Sequence, residues 1–161
     1  MKRANVLRLV AILAVVVLAS MTTGCLKATI TGKIEPKKLE LTEGESITGT
    51  LTVTMTGYLA GGTFDKMDVE FFDEEGISLH KFEDLAIADE LTLIPLVQTT
   101  DSVDLSGIDG LVAPDALWNE SGPADFLGST ATFTVKPSAT SFKLNAVEIS
   151  GVEIVESVPV Q

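Results

Sequence analysis

Few residues in this chain have the type and spacing that chemistry requires. It has one cysteine, Cys25, and one histidine, His80. A serine triad would have to use His80, and no Gly-x-Ser-x-Gly elbow is present to hold a nucleophile. A lone histidine needs several carboxylates beside it to complete a zinc site. His80 stands next to Leu79 in an alternating stretch and reads as a surface or rim residue. Asp104-Leu105-Ser106-Gly107 lacks the Asp-Thr/Ser-Gly order of a catalytic aspartate loop and has no second copy. Asp101, Asp104, Asp109, Asp115 and Asp125 fall in one glycine-bearing region, the kind of loop that can offer calcium its six to eight oxygens. The Asp-x-Asp-x-Asp-Gly order of a calcium hand is absent, so a solvated acidic loop is expected. Among 23 acidic residues no spacing selects a pair for two-carboxylate hydrolysis. No cofactor, metal or catalytic residue is expected.

The segment that leads to Cys25 is more specific. Lys2, Arg3 and Arg8 form a basic start, and Leu9 to Ala19 is an unbroken apolar run. Small and hydroxyl residues follow, ending Thr22-Thr23-Gly24-Cys25. The apolar run is about half of the ~20 residues that a spanning helix needs. This is the order of a cleaved export signal. Its ending resembles a bacterial lipoprotein box, with a small residue, Gly24, directly before the cysteine. Thr22 departs from the aliphatic residue usual three places before it. The resemblance implies a signal peptide over 1–24, acylation of Cys25 (as a diacylglyceryl and palmitate-bearing lipoprotein), and a mature domain of 25–161. Two acyl chains hold a protein on a bilayer where one is marginal. The expected place is the cell envelope, on the extracytoplasmic side of a membrane.

Of 161 residues, removal of 24 leaves 137, enough for one domain with a core. That part keeps all 23 acids and eight basic residues, a net charge of −15, and every basic residue is lysine. Arginine forks and basic patches are the usual grip on phosphate, so a nucleic-acid partner is excluded. Lys27, Lys33, Lys37 and Lys38 lie close to Cys25 and read as solvated strand residues within reach of headgroups. With no cysteine partner for Cys25, packing alone must stabilise the domain.

The elements that position these residues read as short strands. Residues 26–34 form the first, ended by Pro36, and Leu39 and Leu41 alternate with charge. From Ile47 to Thr56 odd positions are apolar or glycine and even positions are all threonine. Period-two alternation predicts one buried face and one wet face, and β-branched threonine suits the wet one. Asp73-Glu74-Glu75-Gly76 reads as a hairpin turn, with Gly76 free to take positive φ. Ile77 and Leu79 open the return strand; Leu91 to Val97 reads as a separate, more apolar strand, with Pro95 at an edge or bulge. Thr99 to Gly128 reads as irregular, with one helical turn at 115–118. Patterning resumes at 130–136 and again from Phe142, where Gly151 divides two final strands. About eight short strands with turns between them predict an all-β fold, an immunoglobulin-like antiparallel β-sandwich.

Gly128-Ser129-Thr130-Ala131-Thr132-Phe133-Thr134-Val135-Lys136, with Phe142-Lys143-Leu144-Asn145 after it, resembles the late strands of cohesin-type domains. Leu41 to Ser46 and Gly62 to Asp65 resemble earlier parts of the same domains. Val69 to Gly76 departs from them and is closer to a hairpin of immunoglobulin-like lipoprotein and late-embryogenesis-abundant-type domains. The resemblance implies an immunoglobulin-like module that binds or spaces things outside the cell. The function expected is a lipid-anchored, non-catalytic envelope binding or adhesion module with a protein or polysaccharide partner. A structural or assembly lipoprotein and a small envelope hydrolase are the alternatives. The long 99–128 stretch holds the only tryptophan, and aromatic anchors are enriched at binding hot spots. Trp118, Tyr58 and Phe126 are therefore the candidate binding residues, against the reading that Trp118 plugs the end of the sandwich.

Overall fold

The threonine alternation becomes the central strand of the smaller of two sheets. The computed structural model describes residues 29–56, 61–94, 98–118, 128–141 and 144–157. Cys25, Tyr58 and Phe126 lie outside these residues. Eight strands follow in order: β1 (Thr29–Glu35), β2 (Lys38–Leu41), β3 (Thr50–Thr56), β4 (Gly62–Phe72), β5 (Ser78–Leu93), β6 (Thr99–Asp104), β7 (Thr130–Pro137) and β8 (Val147–Glu156). Two single 3-10 turns, Leu105–Gly107 and Asp115–Leu117, lie between β6 and β7. The sheets have strand orders β1-β3-β6 and β2-β8-β7-β4-β5. Neighbours are antiparallel except β2 and β8, which run parallel. The fold is the all-β sandwich expected.

Leu51, Val53 and Met55 on β3 meet Phe64, Met67, Val69 and Phe71 on β4 and Ala131, Phe133 and Val135 on β7, all fully buried. Odd residues of β3 therefore supply core, as the alternation predicts. The even face is less wet than expected. Thr52 is buried, because Lys33 and Ser102 flank it on the two neighbouring strands. Thr54 is half-buried, and its hydroxyl lies 3.0 Å from that of Thr100.

The sequence reading of 99–128 as irregular is corrected at its start. Thr99–Asp104 is an edge strand paired with β3. Its core-side positions are Thr99, Asp101 and Val103, opposite Met55, Val53 and Leu51. Two of the three are polar, which hid the strand from a search for apolar alternation. Polar residues serve there because β6 closes onto β5 through side chains. Asp101 Oδ2 accepts from Thr92 N–H at 2.7 Å, and Thr99 Oγ1 accepts from Ile94 N–H at 3.3 Å.

Two further boundaries differ. The return strand and the apolar 91–93 stretch are one continuous β5 of 16 residues. Gly151 lies inside β8 and does not divide it. The 73–76 turn forms as read: Gly76 has φ +79, and Asp73 accepts from Glu75 and Ile77 N–H groups. At the other seam Gly32 lies in close approach to Ile149 of β8. A Cβ there would stand 2.5 Å from Ile149 Cδ1.

Candidate functional site

The candidate site is a groove at one end of β5. Its floor is His80 and Phe82, and its wall is the segment Val112 to Ala116 with Gly44 beside it. The volume is about 320 Å³.

The floor follows from the strand period. On β5, His80 pairs with Phe71 and Phe82 with Val69, so both point to the core side of the sheet. The smaller sheet does not reach this far, and both rings are left half-buried. His80 and Phe82 stack edge-on with centroids 4.6 Å apart, and Phe82 meets the buried Phe71 in the same manner at 6.4 Å. Edge-to-face contacts between aromatic rings add stability beyond area burial.

The wall is fixed by backbone bonds. Gly44 N–H donates to Ala113 O at 3.1 Å, and Ala113 N–H donates to Glu45 O at 2.8 Å. Ser46 bridges Val112, and Ile47 N–H donates to Leu111 O. Leu111, Ala113, Pro114 and Leu117 are buried and root the segment in the core. Val112, Asp115 and Ala116 are left outward. Asp115 lines the groove and is exposed, and Glu43 and Glu45, also exposed, flank Gly44 in the chain. Among the described residues none of the three is in an ion pair, and no lysine lines the groove.

The register also fixes which end of the sandwich this is. Thr29 pairs with Thr56, and Met55 pairs with Thr99. Thr99 bonds Ile94, which follows Leu93, the partner of Gly62. The start of β1 thus sits at the end where β4 begins. His80 pairs with Phe71 at the end where β4 finishes, so the groove and the first described residue are at opposite ends.

Chemically the groove offers an apolar, aromatic floor, one imidazole and one carboxylate, the make-up of a binding surface. Another concavity among the described residues, about 260 Å³, lies where Gly32, Ile34 and Lys37 face Ile149 to Val152. The main titratable cluster lies elsewhere, on the outer face of the larger sheet. Lys136 Nζ is 2.6 Å from Asp68 and 3.2 Å from Asp84. Burial pushes the Asp68 carboxyl up, but hydrogen bonds from Lys136 and from Asp84 N–H outweigh it and hold the group below its usual range. Those bonds pin Asp84, whose φ of +54 marks a bulge in β5.

Of the predicted residues, Trp118 is the one that lies among the described residues. Trp118 is half-buried against the core, and its Nε1–H donates to Glu156 Oε1 at 3.2 Å. Cys25, Tyr58 and Phe126, as stated, lie outside the described residues. The acidic loop is taken apart by the fold. Asp101 bonds Thr92, and Asp104 caps the 105–107 turn, where the Ser106 N–H and hydroxyl hold its carboxyl below the usual range. His80, read from sequence as a rim residue, is part of the groove floor. A signal was present: Ile77 and Leu79 are in the opposite phase to His80 and Phe82, so the strand has apolar residues on both faces. The wall at 112–116 had no local signal.

No family model matches this chain, and no curated protein does. Among solved structures the chain is similar to Spo0M, a sporulation control protein from Bacillus subtilis, at 12% identity and a TM-score of 0.41. The match covers 82% of this chain and 50% of that one, so the chain spans half the length of the structure it matches.

Proposed function

We propose that this chain is a lipid-anchored, non-catalytic binding module of the cell envelope, held by acylated Cys25 and binding a protein partner. The observation that carries the reading is the place of the groove, at the end of the sandwich opposite Thr29. Four residue steps separate Cys25 from Thr29, at most about 14 Å of extended chain. A tether that short keeps the Thr29 end near the membrane and turns the groove outward. A binding surface on a lipoprotein needs that arrangement. The rigid two-sheet scaffold with a loop-built wall supports the same reading, since such scaffolds commonly carry function on their loops.

Metabolic labelling with a fatty acid tests the anchor. The wild-type chain is expected to take up label and lose residues 1–24, and Cys25→Ser to take up none and to keep them. Label entering the Ser variant would refute the anchor. Capture from envelope extract tests the binding. If the full chain retains neither protein nor polysaccharide, the structural-lipoprotein reading replaces this one.

A further inference from the structure

The binding-module reading leaves the partner's chemistry open, and the edge of β5 narrows it. β5 is the last strand of the larger sheet. Its far end is closed by β6, where Asp101 accepts from Thr92 N–H and Thr99 accepts from Ile94 N–H. Its first half is not closed. Among the described residues, the backbone of Leu79 to Glu83 bonds to β4 and to nothing else. An unpaired edge is a template for another strand. A strand added there would place alternate side chains on the groove side, next to His80 and Phe82, and the others beside Leu79, which is 37% exposed.

We propose that this edge and groove take an extended segment of a partner protein as an added strand. That segment sets one apolar side chain into the groove and carries lysine or arginine around it. The proposal rests on the binding-module reading and specifies its site. Charge selects the partner. Asp115 lines the groove, the exposed Glu43 and Glu45 stand on either side of its Gly44 in the chain, none of the three is in an ion pair among the described residues, and Lys81, the one lysine on the edge, is bound to Glu83 at 2.6 Å. A second copy, without residues 1–24, would bring a net charge of −15 against these carboxylates, so self-pairing is opposed. The Asp84 bulge ends the usable edge after about five residues, a length that suits a short peptide segment better than a propagating sheet. Strand addition with side-chain pockets is an established mode of peptide recognition.

The test uses the full chain, purified in detergent, and two fluorescent heptapeptides, one alternating lysine with valine and one alternating glutamate with valine. The lysine peptide is expected to bind, to weaken at about 0.5 M salt as screening grows, and to slow amide exchange across 79–83. Val112→Lys and Asp115→Lys, each at an exposed position, should each weaken it at least about tenfold. Ser150→Lys, at the other seam, should leave it unchanged. Equal binding of the glutamate peptide, binding that survives both lysine variants, or no protection of β5 would overturn the proposal. So would a dimer of the full chain that Val112→Lys dissolves, which would assign the edge to a second copy. Envelope proteins captured equally by wild type and both variants would leave the binding module standing and remove this site. Failure of the wild type to capture any would count against the module itself.

Discussion

Leu51 and Thr52 are adjacent, and both are buried, but by different neighbours. Leu51 points into the core with no exposure, whereas Thr52 is covered from outside by Lys33 and Ser102. Leu51→Ala is expected to cost about 2–5 kcal/mol, a transfer term plus a cavity. Thr52→Ala should cost about 1 kcal/mol or less, since flexible surface side chains can close over it. Urea melts with unchanged slopes check this, and equal losses would mean that the strand faces are misassigned. Asp68 gives a pH prediction. Its side chain is 15% exposed and meets Lys136, and its folded-state carboxyl is held below the ordinary value, burial opposing and Lys136 and Asp84 prevailing. A depressed carboxyl contributes stability that is present above its unfolded pKa of about 3.9 and is lost as pH falls through the folded one. Asp68→Asn should therefore remove part of the acid-side loss of melting temperature below about pH 4. An unchanged acid limb would contradict the assignment.

At the scale of elements, the two sheets are joined along their sides by unlike contacts. On one side the join is polar: Asp101 and Thr99 of β6 bond the backbone of β5 at Thr92 and Ile94. An inward carboxylate on an edge strand also discourages wrong pairing. Asp101→Ala should cost about 1–3 kcal/mol, the range for a hydrogen bond to a charged group, and should speed exchange of the Thr92 amide specifically. On the other side the join is apolar, with Ile149 of β8 lying over Gly32 of β1. A valine at position 32 would overlap Ile149, and overpacking of this kind costs about 1–3 kcal/mol. Ile149→Ala in the same chain should restore part of the loss, a coupling that a double-mutant cycle measures. Strictly additive losses would show that the two residues do not touch.

For the whole molecule, the decisive quantity is the length of the sandwich against the length of the tether. β4 spans 11 residues, about 35 Å at strand rise. The proposed anchor at Cys25 allows about 14 Å. Under that tethering a fluorophore on Thr56→Cys should be quenched by a headgroup-bound quencher, and one on Val112→Cys should not. Equal quenching of the two would place the long axis along the membrane. Net charge acts in the same direction: an acidic body is repelled by an anionic bilayer and stands off from it.

The alternation of β3 and the 73–76 turn were legible locally, because a half-buried strand writes its two faces into alternate residues, whereas the continuity of β5 and β8 was not. Ile47 to Thr56 and Thr130 to Lys136 carry that period openly. β6 was not legible, because Thr99 and Asp101 are satisfied by the backbone of β5, a strand that only folding brings beside them. Nor was the groove. His80 and Phe82 lie on β5 and Gly44 in the turn after β2, while 112–116 follows β6. Their union depends on the ladder between 44–47 and 111–113. Each of those segments is unremarkable alone. Sequence period fixed which face of each strand is apolar; tertiary packing decided which apolar face was left uncovered, because coverage depends on where the smaller sheet stops.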